Sequence, residues 1–186
     1  MAEHVCPWWL GYFLASPVRK FFSDDPLELF APFVRPGMTV LEPGPGMGFF
    51  TLQLARMIGP GGRIIAVDIQ PRMLKSLNRR AQKAGLSNRI ETRLARPDSL
   101  HLGDLSGKVD FALAFAVVHE VPSVEAFFVE LAATLRTGAM LFFAEPAGHV
   151  SSGNFEDEVS TAKMAGLIEA GRPLVRRSHA VILKKI

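Results

Sequence analysis

The spacing of the hydrophobic positions changes repeatedly along the chain from Met38 onward. Five short segments are rich in apolar residues, and runs of successive apolar positions, as in Val109 to Val118, are typical of strands that are buried on both faces. The five segments read "MTVLE", "RIIAVD", "IETRLA", "VDFALAFAV" and "AMLFFAE". Helical spacing between and after them predicts helices at about 49–58, 71–85, 123–135 and 155–170. Strands that alternate with helices predict an α/β fold with a parallel sheet.

Local signals support two of these helix starts and suggest how the sheet ends. Pro71 suits the first turn of a helix, and Ser123 can cap the helix that follows it. The last segment, "RPLVRRSHAVILKKI", contains two extended stretches that meet near Arg177 and Ser178. We therefore predict an antiparallel strand pair that closes one edge of the sheet.

The first 36 residues differ from the rest because they are rich in aromatic residues and proline. We predict one or two short helices there, interrupted at Pro17 and Pro26. One helical face would carry four aromatic side chains: Trp8, Trp9, Tyr12 and Phe13. This face either packs on the core or forms a lid over a ligand site. We predict a single domain over residues 1–186, with residues 1–36 as a helical lid and residues 37–186 as the core.

Composition narrows the class of protein. A chain of 186 residues that is 48% hydrophobic and 21% charged can bury one good core. The net charge of +3 comes from scattered basic residues, which is weak support for a nucleic-acid partner. One cysteine, Cys6, excludes an intrachain disulfide framework and a cysteine-built zinc site. No apolar stretch reaches the roughly 18–20 residues of a membrane span, so we predict a cytoplasmic protein without membrane contact.

Three glycines follow the first predicted strand, in "VLEPGPGMGFF". Gly44, Gly46 and Gly48 lie where the strand passes into a helix, and ligands of open parallel sheets bind beyond the carboxyl ends of the strands. Glycine admits positive φ and has no Cβ, so the backbone there can approach a ligand closely. Asp68 ends the second strand, where a carboxylate can accept hydrogen bonds from ribose hydroxyls, with helix capping as the alternative role.

The glycine spacing distinguishes between two families. In "EPGPGMG", Glu42 to Gly48, the third glycine comes one position earlier than in the G-x-G-x-x-G dinucleotide fingerprint. The segment resembles the first motif of class I S-adenosylmethionine-dependent methyltransferases, E/D-x-G-x-G-x-G, at every specified position. "FALAFAVVHEVP" and "LRTGAMLFFAEP" resemble that family's fourth-strand and fifth-strand motifs, with Ala139 replacing a glycine. The resemblance covers residues 37–147, and "VVHEVP" is most similar to small-molecule methyltransferases of ubiquinone and menaquinone biosynthesis.

This resemblance implies a fold and a cofactor. The fold is Rossmann-like and doubly wound, with a seven-stranded, mostly parallel sheet, an antiparallel last strand and helices on both faces. The cofactor is S-adenosylmethionine, with Glu42 near its positively charged methionine end and Ile69 against its adenine. The implied cofactor-binding residues are Glu42, Gly44, Pro45, Gly46, Gly48, Asp68, Ile69, Asp98, Ser99 and Phe115.

Adenine recognition departs from the family pattern, because Arg96 stands about where relatives often carry an aspartate. Asp98, Ser99 or the backbone of residues 96–98 are the remaining candidates. For Phe115, at the end of the fourth strand, core packing is the alternative to a contact with the cofactor.

His119 is the candidate catalytic residue, because it follows the fourth strand on a loop that faces the predicted pocket. We predict that it lines the acceptor pocket and acts as a general base, with a surface histidine as the alternative. Glu145 and His149 are further candidates for the edge of the pocket. Methyl transfer from a sulfonium is an in-line displacement, so neither a metal ion nor a covalent nucleophile is predicted.

The acceptor is predicted to be a small molecule, while nucleic acid and protein stay open. "AVVHEVP" stands where the adenine and glutamine amino-group methyltransferases carry an Asn-Pro-Pro-Tyr type motif, and Cys6 lies far from the position of a cytosine-methylating nucleophile. Two other functions remain as alternatives: an NAD(P)-dependent oxidoreductase and a non-catalytic cofactor-binding protein. The sequence leaves the oligomeric state open.

Overall fold

The structure, a computed structural model, describes residues 25–186. The predictions for the aromatic face of residues 8–13, for Cys6 and for Pro17 lie outside the described residues. Pro26 is described, and it begins a helix instead of interrupting one. Asp25 caps that helix by accepting a hydrogen bond from Leu27 N at 2.9 Å, so the proline takes the first helical position, where its missing N–H costs nothing.

Seven strands form one sheet in the order β3-β2-β1-β4-β5-β7-β6. Neighbouring strands are parallel except at β7, which runs antiparallel to both β5 and β6. The strands are β1 Thr39–Pro43, β2 Arg63–Asp68, β3 Ile90–Leu94, β4 Val109–Phe115, β5 Leu135–Pro146, β6 Leu167–Gly171 and β7 Ser178–Lys185. The predicted mostly parallel, seven-stranded sheet with an antiparallel last strand is confirmed.

Five α-helices accompany the sheet in the described part of the chain. They are α1 Pro26–Phe30, α2 Phe49–Met57, α3 Pro71–Lys83, α4 Val124–Thr134 and α5 Ser152–Met164. The two predicted helix starts are confirmed: Pro71 opens α3, and the Ser123 hydroxyl accepts from Ala126 N at 3.1 Å at the start of α4. Ser151 caps α5 in the same way.

The core consists of two clusters that involve alternate residues of the same strands. One cluster joins the sheet to α4 and α5 and includes Ala112, Phe128, Phe143 and Phe155. The other joins the sheet to α1, α2 and α3 and includes Phe30, Leu54, Leu77 and Phe111. Because successive strand residues point to opposite faces, a strand covered on both sides is apolar at successive positions. Helices therefore lie on both faces, as predicted.

Two predictions near the end of the chain are wrong. The predicted helix at about 155–170 ends too late, and the strand that precedes β7 is Leu167–Gly171 instead of the segment "RPLV". The helix ends at Met164, because Gly166 takes a left-handed conformation (φ +86°) and its N–H donates to Lys163 O, a common way for helices to stop. The next strand, β6, therefore precedes the segment "RPLV", which belongs to the connection to β7. Ser178 does begin β7, as the sequence indicated.

Candidate active site

The glycine turn after β1 has two kinds of glycine. All three have positive φ: +67° at Gly44, +54° at Gly46 and +83° at Gly48. A Cβ at Gly44 would lie 2.6 Å from Val117 Cγ2, and one at Gly48 would lie 2.3 Å from Leu77 Cδ1. A Cβ at Gly46 would meet no atom within 4 Å. Packing inside the protein therefore requires Gly44 and Gly48, whereas Gly46 borders open space.

Two further members of the predicted cofactor set support this turn. Pro45 is buried, and its carbonyl accepts a hydrogen bond from Gly48 N at 2.9 Å, which closes the turn. Phe115 lies half-buried at the end of β4, with its ring centroid 4.8 Å from that of Phe50 on α2. Phe115 is thus part of the packing beneath the turn.

Glu42 is a buried carboxylate at the end of β1, just before the turn. Its side chain belongs to a residue that is only 3% exposed, and Oε2 has no hydrogen-bond partner among residues 25–186. Burial raises the pKa of Glu42 to about 7. The Thr51 hydroxyl opposes this rise. A buried carboxylate with one oxygen left without a hydrogen bond is still costly, and a positively charged ligand would offset the cost.

Asp68 ends β2 beside the same turn. Its Oδ1 accepts from Gln70 N at 2.8 Å. Burial, with a smaller contribution from Glu120, raises the pKa of Asp68 to about 6, while the backbone N–H groups of Gln70, Gly46 and Ile69 oppose the rise. The strand end and the glycine turn thus meet at this carboxylate. Ile69 is 39% exposed, so it is not an ordinary core residue.

The turn after β3, which contains the predicted adenine contacts, is formed by reciprocal backbone hydrogen bonds between Arg96 and Ser99, at 3.0 and 3.3 Å. Arg96 and Asp98 are exposed. The Ser99 hydroxyl lies 3.3 Å from both carboxylate oxygens of Glu130 on α4. Ser99 Oγ thus has a partner inside the protein, and the N–H and C=O groups of Arg96 and Ser99 pair with each other. Among the predicted contacts this leaves the Asp98 side chain and the backbone of residues 97–98 for a ligand.

A histidine–carboxylate pair lies at the carboxyl ends of β4 and β5. Glu145 is fully buried, and its Oε1 accepts from Val118 N at 2.7 Å and from Val117 N at 3.2 Å. Its Oε2 accepts a hydrogen bond from Nδ1 of His119. This bond raises the pKa of His119, because the carboxylate stabilises the imidazolium, and burial opposes the rise only in part. Nδ1 is therefore protonated, and Nε2 carries the lone pair of the neutral ring.

The backbone before this pair has an unusual conformation. Ala116, directly after β4, has a φ of +57°, which alanine rarely adopts, and its N–H donates to Ala144 O at 2.8 Å. Such conformations persist where the surroundings fix them, and they cluster at functional sites. The bond to β5 and the Glu145 contacts fix the start of the loop that carries His119.

Other titratable groups surround His119. Its Nε2 lies 3.8 Å from Glu120 Oε1, and the His149 ring centroid lies 5.7 Å from its own. Glu158 on α5 also acts on it electrostatically, and burial together with Glu145 raises the pKa of Glu158 to about 7. The sequence had singled out Glu145 and His149 but not Glu158, whose place at this site depends on how α5 packs.

Residues 25–186 contain neither a metal-binding cluster nor a membrane-spanning helix. Within that range no group of three or more His, Cys, Asp or Glu side chains is arranged to hold a metal ion. None of the described helices has both the length and the hydropathy for a membrane span.

The sheet order places the turn at Gly46 and the carboxylates Glu42 and Asp68 together at the carboxyl edge of the sheet. This is the edge at which α/β proteins bind nucleoside-containing ligands. Comparison with known proteins makes the class specific. A family model described as a methyltransferase domain matches residues 41–143, more than half of the chain. The chain belongs to this family of S-adenosylmethionine-dependent methyltransferases.

Individual relatives agree with this assignment. Over 124 residues the chain is 31% identical to an arsenite methyltransferase of Halobacterium salinarum. This alignment covers 67% of the chain and 30% of the relative. Over 140 residues it is 33% identical to a ubiquinone biosynthesis O-methyltransferase of Methylocella silvestris, covering 69% of this chain and 52% of that protein. The chain thus matches 30% of the length of the first relative and 52% of the length of the second.

A solved structure extends the comparison to the whole fold. The crystal structure of a SAM-dependent methyltransferase from Aquifex aeolicus superimposes with a TM-score of 0.86, over 98% of this chain and 100% of that one, at 24% identity. At this identity the likeness establishes the fold alone. The predicted family, fold and cofactor, S-adenosylmethionine, are confirmed, whereas the individual cofactor contacts remain predictions.

Proposed function

We propose that the protein transfers the methyl group of S-adenosylmethionine to a small-molecule acceptor. The observation that carries the proposal is the buried Oε2 of Glu42, which has no partner among the described residues and lies just before the turn at Gly46. A sulfonium and an ammonium group would complement this carboxylate. The pyrophosphate of a dinucleotide, which binds at such glycine turns, would be repelled by it, so the oxidoreductase alternative is disfavoured.

The described residues fit the cofactor in three places. Glu42 would face the positively charged methionine end, Gly46 would allow close backbone approach, and Asp68 would accept hydrogen bonds from the ribose hydroxyls. The exposed side chain of Ile69 would cover one face of the base. When bound, S-adenosylmethionine supplies an electrophilic methyl group whose sulfur leaves as a neutral thioether.

His119 is the general base in this proposal. With its Nδ1–H donated to Glu145, the ring presents Nε2 as the atom that removes a proton from the acceptor. Glu145 acts as a positioning residue, because it fixes both the tautomer and the orientation of the ring and stabilises the imidazolium that forms. Near-attack alignment contributes the larger part of the rate, on the order of 7–11 kcal/mol, and a base adds about 10²–10⁴-fold.

The charges around His119 favour a small acceptor over a nucleic acid. The side chains that act on its charge are three carboxylates: Glu145, Glu120 and Glu158. A polyanion would be repelled from such a pocket, because phosphate contacts need arginine and lysine. One of the two relatives is named for arsenite and the other for ubiquinone biosynthesis. Both names refer to small molecules, which is consistent with a small acceptor. The acceptor panel described next also includes proteins.

Calorimetric titration followed by an acceptor panel tests the proposal. We expect S-adenosylmethionine and S-adenosylhomocysteine to bind and NAD(H) not to bind, with methyl transfer to at least one small acceptor. Binding of NAD(H) alone would replace the proposal with the oxidoreductase. Binding of S-adenosylmethionine without turnover on small molecules, RNA or protein would favour the non-catalytic alternative.

The domain assignment also remains a proposal. We propose one methyltransferase domain over residues 1–186, with residues 1–36 covering the site. Within that segment, Phe30 packs against Phe50 and Phe142 at ring-centroid distances of 5.5 and 5.3 Å. The described end of the segment is therefore anchored in the core, and any covering role belongs to the residues that precede it.

A further inference from the structure

A single carboxylate on α4 anchors Ser99, the last residue of the turn that begins at Arg96, and the loop that follows it. Glu130 Oε2 accepts from Leu100 N at 2.8 Å, and its Oε1 accepts from Leu102 N at 2.9 Å. The Ser99 hydroxyl lies 3.3 Å from both oxygens. Hydrogen bonds to a charged acceptor are stronger than neutral ones, so this arrangement binds the loop after the turn to the helix firmly.

The backbone conformation of this loop depends on the same network. His101, between the two amides that Glu130 holds, has a φ of +55°, and its own N–H donates to Ser99 Oγ at 3.0 Å. A non-glycine residue keeps such a conformation only when its neighbours impose it. Leu102 beyond it is 1% exposed, which anchors the far end in the core. The loop is therefore held at both ends.

The position of the turn places it beside the nucleoside. Ala95 N, at its start, donates to Asp68 O at 3.0 Å, so the turn begins next to the proposed ribose site. In the sheet order β3-β2-β1, the glycine turn follows β1 and Asp68 ends β2. A cofactor that extends from the glycine turn across Asp68 therefore directs its base toward β3. The partly exposed Ile69 lies on this path.

From these contacts we infer that Glu130, a residue remote from the transferred methyl group, is a positioning residue for recognition of the adenine base. It holds the backbone of the Arg96–Ser99 turn in the conformation that pairs with the hydrogen-bonding edge of the base. The inference rests on the proposed function. Because Ser99 Oγ is engaged with Glu130, the selectivity comes from the orientation of the turn and not from the serine hydroxyl.

The test compares two ligands that differ only in the base. S-inosylhomocysteine carries a carbonyl where S-adenosylhomocysteine carries the amino group, which reverses the hydrogen-bonding edge. We expect the wild-type protein to prefer S-adenosylhomocysteine by about tenfold or more, because a fixed polar edge rejects a mismatched one. In Glu130→Gln, which lacks one acceptor oxygen, affinity for S-adenosylhomocysteine should fall about tenfold and the preference should shrink to about threefold or less.

Control variants separate positioning from folding. Glu125→Gln makes the same chemical change on the exposed side of α4 and should match the wild type in both affinities. Ser99→Ala, which leaves α4 intact, should also lower the preference for S-adenosylhomocysteine over S-inosylhomocysteine, by a smaller factor than Glu130→Gln does. This variant provides the readout if Glu130→Gln does not fold. Melting temperatures of all variants report any general destabilisation.

The outcomes are distinguishable. An unchanged ratio of the two affinities in Glu130→Gln, whether or not both affinities fall together, would overturn the inference and leave the proposed function standing. Failure of the wild-type protein to bind S-adenosylhomocysteine would overturn the proposed function and the inference with it.

Discussion

Glu42 and Glu145 are both buried carboxylates at the carboxyl edge of the sheet, but their surroundings differ. Glu145, which is fully buried, accepts hydrogen bonds from two backbone N–H groups and from His119. Glu42, 3% exposed, has an oxygen without a partner among the described residues, and its pKa is raised to about 7. The protein satisfies one carboxylate internally and leaves one oxygen of the other without a partner among the described residues.

The difference separates two kinds of active-site residue. A fully hydrogen-bonded carboxylate rigidifies its partners, so Glu145 holds the His119 loop ready before any ligand arrives. An unpartnered one costs folding free energy and recovers it only when a ligand of opposite charge binds. Glu42 and Glu145 should therefore respond in opposite ways to the same mutation, and the predictions below test this contrast.

The largest effect is expected for Glu145→Gln. The amide keeps an oxygen for Val117 N and Val118 N but cannot stabilise the imidazolium of His119. We expect turnover to fall about 10²–10³-fold, with affinity for S-adenosylhomocysteine within about threefold of wild type. The pH at which His119 loses its proton should also move lower, because the hydrogen bond that raises its pKa is weakened. Unchanged turnover would remove the pair from the mechanism.

The second-largest effect is expected for Asp68→Ala. The internal hydrogen bonding of the Asp68 carboxylate is intermediate between that of Glu145 and that of Glu42. Backbone N–H groups, among them Gln70 N at 2.8 Å, stabilise this carboxylate in part, and its pKa is still raised to about 6. Loss of the ribose hydrogen bonds should weaken S-adenosylmethionine binding by about 1–3 kcal/mol. Isothermal titration measures this directly, with Asp68→Asn distinguishing the charge from the acceptor atom. Equal affinity in the wild type and Asp68→Ala would contradict the ribose role.

Glu42→Gln should have opposite effects on binding and stability. Affinity for S-adenosylmethionine should fall by about 1–2 kcal/mol, and by less for S-adenosylhomocysteine, which has no sulfonium charge. The ligand-free protein should become more stable at pH 8, on the order of 1–3 kcal/mol, because ionising a carboxyl with a raised pKa costs folding free energy. That cost grows as the pH rises from about 4.5 to about 7 and is constant above. Urea unfolding at pH 5 and pH 8 measures it, and a destabilised variant at pH 8 would contradict the comparison.

The smallest effect is on the pH dependence of cofactor binding. Because the cationic ligand prefers ionised Glu42, affinity should fall about tenfold between pH 8 and pH 6 as the carboxyl takes up a proton. Protonation of Asp68 should extend the fall toward lower pH. Titration at pH 7, where Asp68 is already largely ionised, in two buffers of different ionisation enthalpy should detect proton release from Glu42 on binding. In Glu42→Gln the release near pH 7 should disappear; its persistence would assign the proton to another group.

Much of the site could be predicted because its determinants are local. Glycines at a strand–helix join and a carboxylate at the end of the next strand are visible in single short segments, and the parallel sheet brings them together. The position of β6 was missed because the left-handed turn at Gly166 is a local signal that the apolar pattern of "RPLV" obscured. Glu130 and Glu158 were missed because each is one of two or three acidic residues on its helix, with no motif around it.

The sequence by itself determined the alternation of buried strands and helices, the turn at Gly44, Gly46 and Gly48, and the placement of Asp68, since each depends on residue types within a few positions. Tertiary structure decided which glycines are required by Val117 and Leu77, which carboxylate is satisfied and which is left unpartnered. The physical reason is that hydrogen bonding and burial depend on groups far apart in the chain, 30 positions for Leu100 and Glu130 and 71 for Thr39 and Asp110. Only the packed fold brings such groups within 3 Å of each other.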